Sequence, residues 1–210
     1  MNLEEFEKRF NLIKRPFKTK DLSDFSKKLI KEKQDVSFLK DIILLKQEYH
    51  RIYFQVQIGL LNNMDEKLKF IEDNFDLLND WWHVDQLEQF IAKDLEFDYI
   101  YEKAKEYVKD ERTFVRRWGY VIFMPKLVKD KKAIKLFDLF KNNDEYYDVM
   151  AQAWLISYLA IYFPNETYEY IKSRKLNYNI IGKAIQKICD SFRISNEYKL
   201  SIKELRNLYK

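Results

Sequence analysis

Trp81 and Asp85 stand four residues apart, Arg117 follows on a largely apolar stretch, and Trp154 lies on another. Residues i and i+4 share one helix face, so an indole plate and a carboxylate would address the same small volume. Two indoles, one carboxylate and one guanidinium suit the stabilisation of a passing cation. Aromatic faces attract positive charge, and a fixed carboxylate does so without reorganising as the charge develops. Each residue also has a plainer reading. Asp85 and Trp81 could cap and staple a helix N-terminus. Arg117 shares a face with Phe114, Val121 and Met124, where a guanidinium needs a carboxylate or a phosphate; a buried ion pair, Asp85 included, would serve. Trp154 lies with Met150, Ser157, Tyr158 and Ile161 on a very apolar helix, where a core tryptophan is equally at home.

The elements that carry these residues read as helices. The 210 residues include only 3 Gly and 3 Pro, too few for the frequent tight hairpins of an all-β design. With 34% charged residues, abundant Leu and Ile match helices with wet outer faces. Leu22, Phe25 and Leu29 recur at helical spacing, as do Leu68, Ile71, Phe75 and Leu78. Val84, Leu87, Ile91 and Leu95 form the apolar stripe of a helix starting near Trp81; Trp81 and Asp85 fall to one side of it, beside Ala92. Breaks are expected near Pro16, Asn62, Asn79, Pro125, Asn142, Pro164 and Asn177. The pattern predicts an all-α single domain over residues 1–210, with about eleven to thirteen helices. A solenoid of antiparallel pairs and a compact bundle both satisfy it.

Charge is distributed unevenly. Residues 65–111 carry 15 Asp/Glu against 6 Lys/Arg, residues 112–135 carry 8 Lys/Arg against Asp130 alone, and residues 171–210 carry 10 against 3. Basic blocks of this size make a footprint for phosphate, or simply a well-solvated surface. The single Cys189 excludes an intramolecular disulfide and fits a reducing compartment. The chain opens Met-Asn-Leu-Glu-Glu, without the basic start of a secretory leader, and Val149 to Phe163 is short for a membrane span. A soluble, cytoplasmic protein is expected, with no cofactor. No metal site is expected, since His50 and His83 are far apart and Cys189 adds little. Gly59, Gly119 and Gly182 are isolated, so no phosphate-binding loop exists.

Two motifs and a longer block add a resemblance. Asn79-Asp80-Trp81-Trp82-His83-Val84-Asp85 looks like the Trp-x-x-x-Asp segment of the AlkD-like DNA alkylation-repair glycosylases. Phe114-Val115-Arg116-Arg117-Trp118 resembles that family's next element, its second arginine matching Arg117. Tyr147 to Arg193, with Trp154 in Ala-Gln-Ala-Trp-Leu and Ala184-Ile185-Gln186-Lys187 near its end, is similar to the C-terminal part. The resemblance implies an α-α superhelix (solenoid) of HEAT-like helical repeats. It also implies a monofunctional glycosylase, monomeric, that acts on double-stranded DNA with alkylated purines. Asp85 would stabilise the sugar cation, Trp81 and Trp154 would pack on the lesion's deoxyribose and backbone, and Arg117 would hold a phosphate. Arg116, Lys126, Lys18 and Lys20 would meet the DNA backbone. The alternative is a non-catalytic HEAT-like protein that recognises bent or branched DNA. The chain departs from the family pattern at Trp82 and His83, between the two motif residues. It also lacks the Gly and Pro of the N-terminal turn, having Phe17-Lys18-Thr19-Lys20-Asp21 there. Pro125 and Lys126 stand where some members have a lysine two turns after the arginine.

Overall fold

A computed structural model describes residues 1–91, 93 and 95–209. Among them the chain is all-helical, without a strand, and of the α-α superhelical class that the resemblance implies. It divides into two compact units. One comprises Met1–Leu77 with Gln89–Asp94, the other Leu78–Glu88 with Leu95–Lys210.

The first unit holds α1 (Leu3–Phe10), α2 (Thr19–Lys31), α3 (Gln47–Leu60) and α4 (Met64–Glu72). Asn2 and Asn63 cap α1 and α4 by accepting from backbone N–H groups, which satisfies donors the helix cannot satisfy itself. Aromatic edges fill the core. Phe6 and Phe10 each meet the Tyr49 ring edge-on, at 5.7 and 5.5 Å between centroids. The expected stripe of Leu22 and Leu29 is buried on α2, which packs against α3.

The second unit begins with two single-turn helices, α5 (Trp81–Asp85) and α6 (Leu87–Ile91), the latter crossing the division at Glu88. One continuous helix is expected here from the apolar stripe; the chain instead breaks at Gln86, which caps α5. Val84, Leu87 and Ile91 are nevertheless fully buried, while Leu95 lies outside a helix and only half-buried. Ala92, expected beside Trp81 and Asp85, lies outside the described residues.

Next come α7 (Phe97–Tyr107), α8 (Thr113–Val121), α9 (Tyr146–Tyr162), α10 (Pro164–Lys172), α11 (Tyr178–Asp190) and α12 (Asn196–Glu204). Between α8 and α9 run 3₁₀ segments at Leu127–Lys129 and Lys131–Leu139. Seventeen residues of nearly unbroken apolar sequence make α9 the central helix, because a helix apolar all round must be covered on several sides. It packs on α8, α10 and α11. Pro164 at the first position of α10 ends one helix and starts the next. Gly119 allows α8 to approach α7 closely: a Cβ there would stand 2.8 Å from Val108 Cγ1 and 3.1 Å from Tyr107 Cβ.

Candidate functional site

Asp80 opens α5 by accepting from the Trp81 N–H at 2.6 Å. Trp81 and Asp85 are the first and last residues of that helix, hence one turn apart on one face. The Trp81 side chain is 49% exposed, far above a core tryptophan, and Asp85 is half-buried. Asp85 therefore closes α5 rather than opening it. Arg117 is the partner of its carboxylate. Its Nε donates to Asp85 Oδ1 and its Nη2 to Oδ2, both at 2.8 Å, the two-pronged geometry that fits a guanidinium to a carboxylate. Arg117 Nη1 donates to the Tyr147 carbonyl at 3.0 Å. The guanidinium is thus anchored on α5 and α9 at once, and Arg117 is only 5% exposed. The ion pair to Asp85 that the sequence allowed is present.

Tyr147 and Trp154 are seven residues apart on α9, about two turns, and so share a face. Trp154 is half-buried and meets the Tyr158 ring edge-on at 6.1 Å, so it is neither a sealed core residue nor a fully open one. Over its ring, 5.9 Å from the centroid, lies Lys187 Nζ, carried by α11. Burial lowers the Lys187 pKa below the ordinary lysine value. The Arg117 cation depresses it further, Asp190 and Asp85 pull it back up, and Lys183 adds a smaller depression. Those charges tie Asp85, Arg117, Trp154 and Lys187 to one locality.

Arg116, the residue before Arg117, has partners of its own. Arg116, expected at the DNA, directs its Nε to Asp148 Oδ2 at 2.7 Å and its Nη1 to the carbonyls of Asp110 and Glu111 at 2.9 and 2.8 Å. Asp148 is 1% exposed and also accepts from Asn143 and Gln152. The guanidinium joins α8 to α9. Lys126 is exposed after Pro125, and its charge reaches Glu88. Lys18 and Lys20 are exposed in the first unit, where the Lys18 N–H donates to Asp21 and Lys20 pairs with Asp24.

A family model described as "DNA alkylation repair enzyme" matches residues 14–188. The chain belongs to that family. Neither the curated proteins nor the solved structures include a match. Membership in the DNA alkylation repair enzyme family makes this a repair enzyme acting on DNA, and the matched stretch contains Trp81, Asp85, Arg117, Trp154 and Lys187. Among the described residues no helix is long and apolar enough to cross a membrane, and no group of three or more His, Cys, Asp or Glu is arranged to hold a metal ion.

From sequence, Lys187 stands only inside the C-terminal block, with no role given to it, and the Tyr147 carbonyl does not stand out. Lys187 recurs with Ile180 and Ala184 on the buried stripe of α11, and a lysine among residues of zero exposure is a signal that a helical-period reading can find. The Tyr147 carbonyl has no such signal, since backbone acceptors are alike at every position. Two ionisable groups on either side of Asp85 are buried as well. Burial pulls the His83 imidazole down to about 4, with Asp80 opposing, and pushes the Glu88 carboxyl up to about 7, with Lys126 opposing.

Proposed function

We propose that the protein is a monofunctional DNA glycosylase that releases positively charged N3- and N7-alkylated purines from duplex DNA without flipping the base. The observation that carries this reading is the Asp85 carboxylate gripped at both oxygens by Arg117, with Trp81 exposed one turn away. Alkylation at N3 or N7 makes the purine a cationic leaving group that needs no general acid. As it departs, the deoxyribose acquires oxocarbenium character, which a carboxylate stabilises and beside which it can orient water. Trp81 and Trp154 would offer faces to the sugar and backbone as charge develops. Arg117 acts as a positioning residue: anchored by the Tyr147 carbonyl, it holds the carboxylate in one orientation. The partner would be double-stranded DNA carrying such lesions, met by a monomer in the cytoplasm.

The second reading, a non-catalytic HEAT-like protein that binds bent or branched DNA, is favoured by one observation. An ion pair that occupies both Asp85 oxygens is also what a purely structural carboxylate would make. Release of free N7-methylguanine and N3-methyladenine from methylated duplex separates the two. Release by the wild type and its loss in Asp85→Asn supports the glycosylase. Tight binding to the same duplex without release selects the binding protein.

A further inference from the structure

Arg117 was the residue expected to take a DNA phosphate, yet three of its donor positions are engaged and its side chain is 6% exposed. A phosphate needs a cation that solvent can reach. Lys187 meets that need. It is half-buried on α11, with its ammonium over the Trp154 ring. Ammonium groups behave as compact point charges and do not need the planar fork that a carboxylate or phosphate offers a guanidinium. The charges felt at this point are Arg117 and Lys183 on one side and Asp85 and Asp190 on the other; Lys187 tips the locality to a net positive charge.

We infer that Lys187 is the phosphate-binding residue of the Asp85 site, taking the backbone phosphate next to the nucleotide that lies against Trp154. The inference rests on the DNA-repair reading of the site and adds a division of labour. Arg117 holds the carboxylate and Lys187 holds the substrate. The lowered pKa, set first by burial and then by the Arg117 cation, accords with an ammonium that gains when an anion arrives. Contact with Trp154 while DNA is absent keeps the ammonium over an aromatic face until the phosphate competes for it.

The test is equilibrium binding to an abasic-analogue duplex across a salt series, which needs no base release. Neutralising one phosphate contact changes the slope of log K against log salt by about 0.9. Lys187→Met, which keeps an unbranched stem over Trp154, is expected to flatten the slope by about that amount, and Lys187→Arg to restore it. A duplex with a single neutral methylphosphonate beside the abasic analogue should weaken wild-type binding and leave Lys187→Met binding unchanged. An unaltered slope in Lys187→Met, or equal weakening of both proteins by the methylphosphonate, overturns the assignment and leaves the glycosylase reading intact. No salt-dependent binding by the wild type overturns both.

Discussion

Replacing Asp85 by Asn tests two consequences of one ion pair. Unit charges about 4 Å apart, at an effective dielectric of about 20, attract by about 4 kcal/mol. The Arg117 guanidinium, 2.8 Å from each carboxylate oxygen, withdraws part of that from a sugar cation. Roughly 2–3 kcal/mol remains, so base release should fall on the order of 30- to 150-fold. Stability should fall as well. Breaking a buried pair costs about 3–5 kcal/mol, and the asparagine oxygen, which still accepts one bond from Arg117, recovers part of it. A net loss of roughly 2–3 kcal/mol should lower Tm by about 5–7 °C for a chain of this size. Base release is followed by chromatography of freed N7-methylguanine from methylated duplex, and Tm by calorimetry on the same samples. A folded variant that releases base at the wild-type rate refutes the electrostatic role. An unchanged Tm refutes the ion pair itself.

Three further outcomes are expected. Asp148→Ala strands Arg116 without its buried carboxylate and removes the acceptor for Asn143 and Gln152; it should cost about 3–5 kcal/mol, visible as a lower urea midpoint. Gly119→Ala gains up to about 1 kcal/mol of helix propensity but drives its methyl into Val108, for a net loss on the order of 1–2 kcal/mol; equal or higher stability in denaturant would contradict the close approach of α7 and α8. Glu88 and His83 give opposite pH dependences. With its pKa raised from 4.5 to about 7, Glu88 contributes stability that is fully present below pH 4.5 and lost as pH rises through 7. With its pKa lowered from 6.5 to about 4, His83 contributes stability that is present above pH 6.5 and lost as pH falls through 4. The two offset each other between about pH 4.5 and 6.5. Glu88→Gln should therefore make stability climb with pH across that window, and His83→Gln should make it decline, each by on the order of 1–2 kcal/mol after solvent screening. Parallel Tm profiles for both variants and the wild type would show that neither group is held neutral.

Helical period made most of the fold legible. The stripes on α2 and α4, the stop at Pro164 and the all-round apolar α9 follow from local spacing and from residues that cannot continue a helix. The division into α5 and α6 did not, because a break at Gln86 changes no residue's place in the apolar repeat; tertiary docking decides it. The carboxylate and its arginine were readable as types that need each other, though 32 residues of sequence separation concealed which partner each would take. The neighbouring arginines 116 and 117 look alike in sequence. Arg116 takes Asp148 of α9, Arg117 takes Asp85 of α5 and the Tyr147 carbonyl of α9, and only the packing of α5 and α9 distinguishes them.

The brevity of α5 has a consequence for how its carboxylate is held. Five residues are too few to form a helix alone, since nucleation fixes several dihedrals for a single hydrogen bond. The turn that bears Trp81 and Asp85 is therefore held by its neighbours, with Arg117 as a latch between it and α9. Segments of that kind open at a lower free energy than the long helices behind them. The carboxylate thus keeps its place through the packing of α5 on α8 and the Arg117 bridge to α9, rather than through α5 itself.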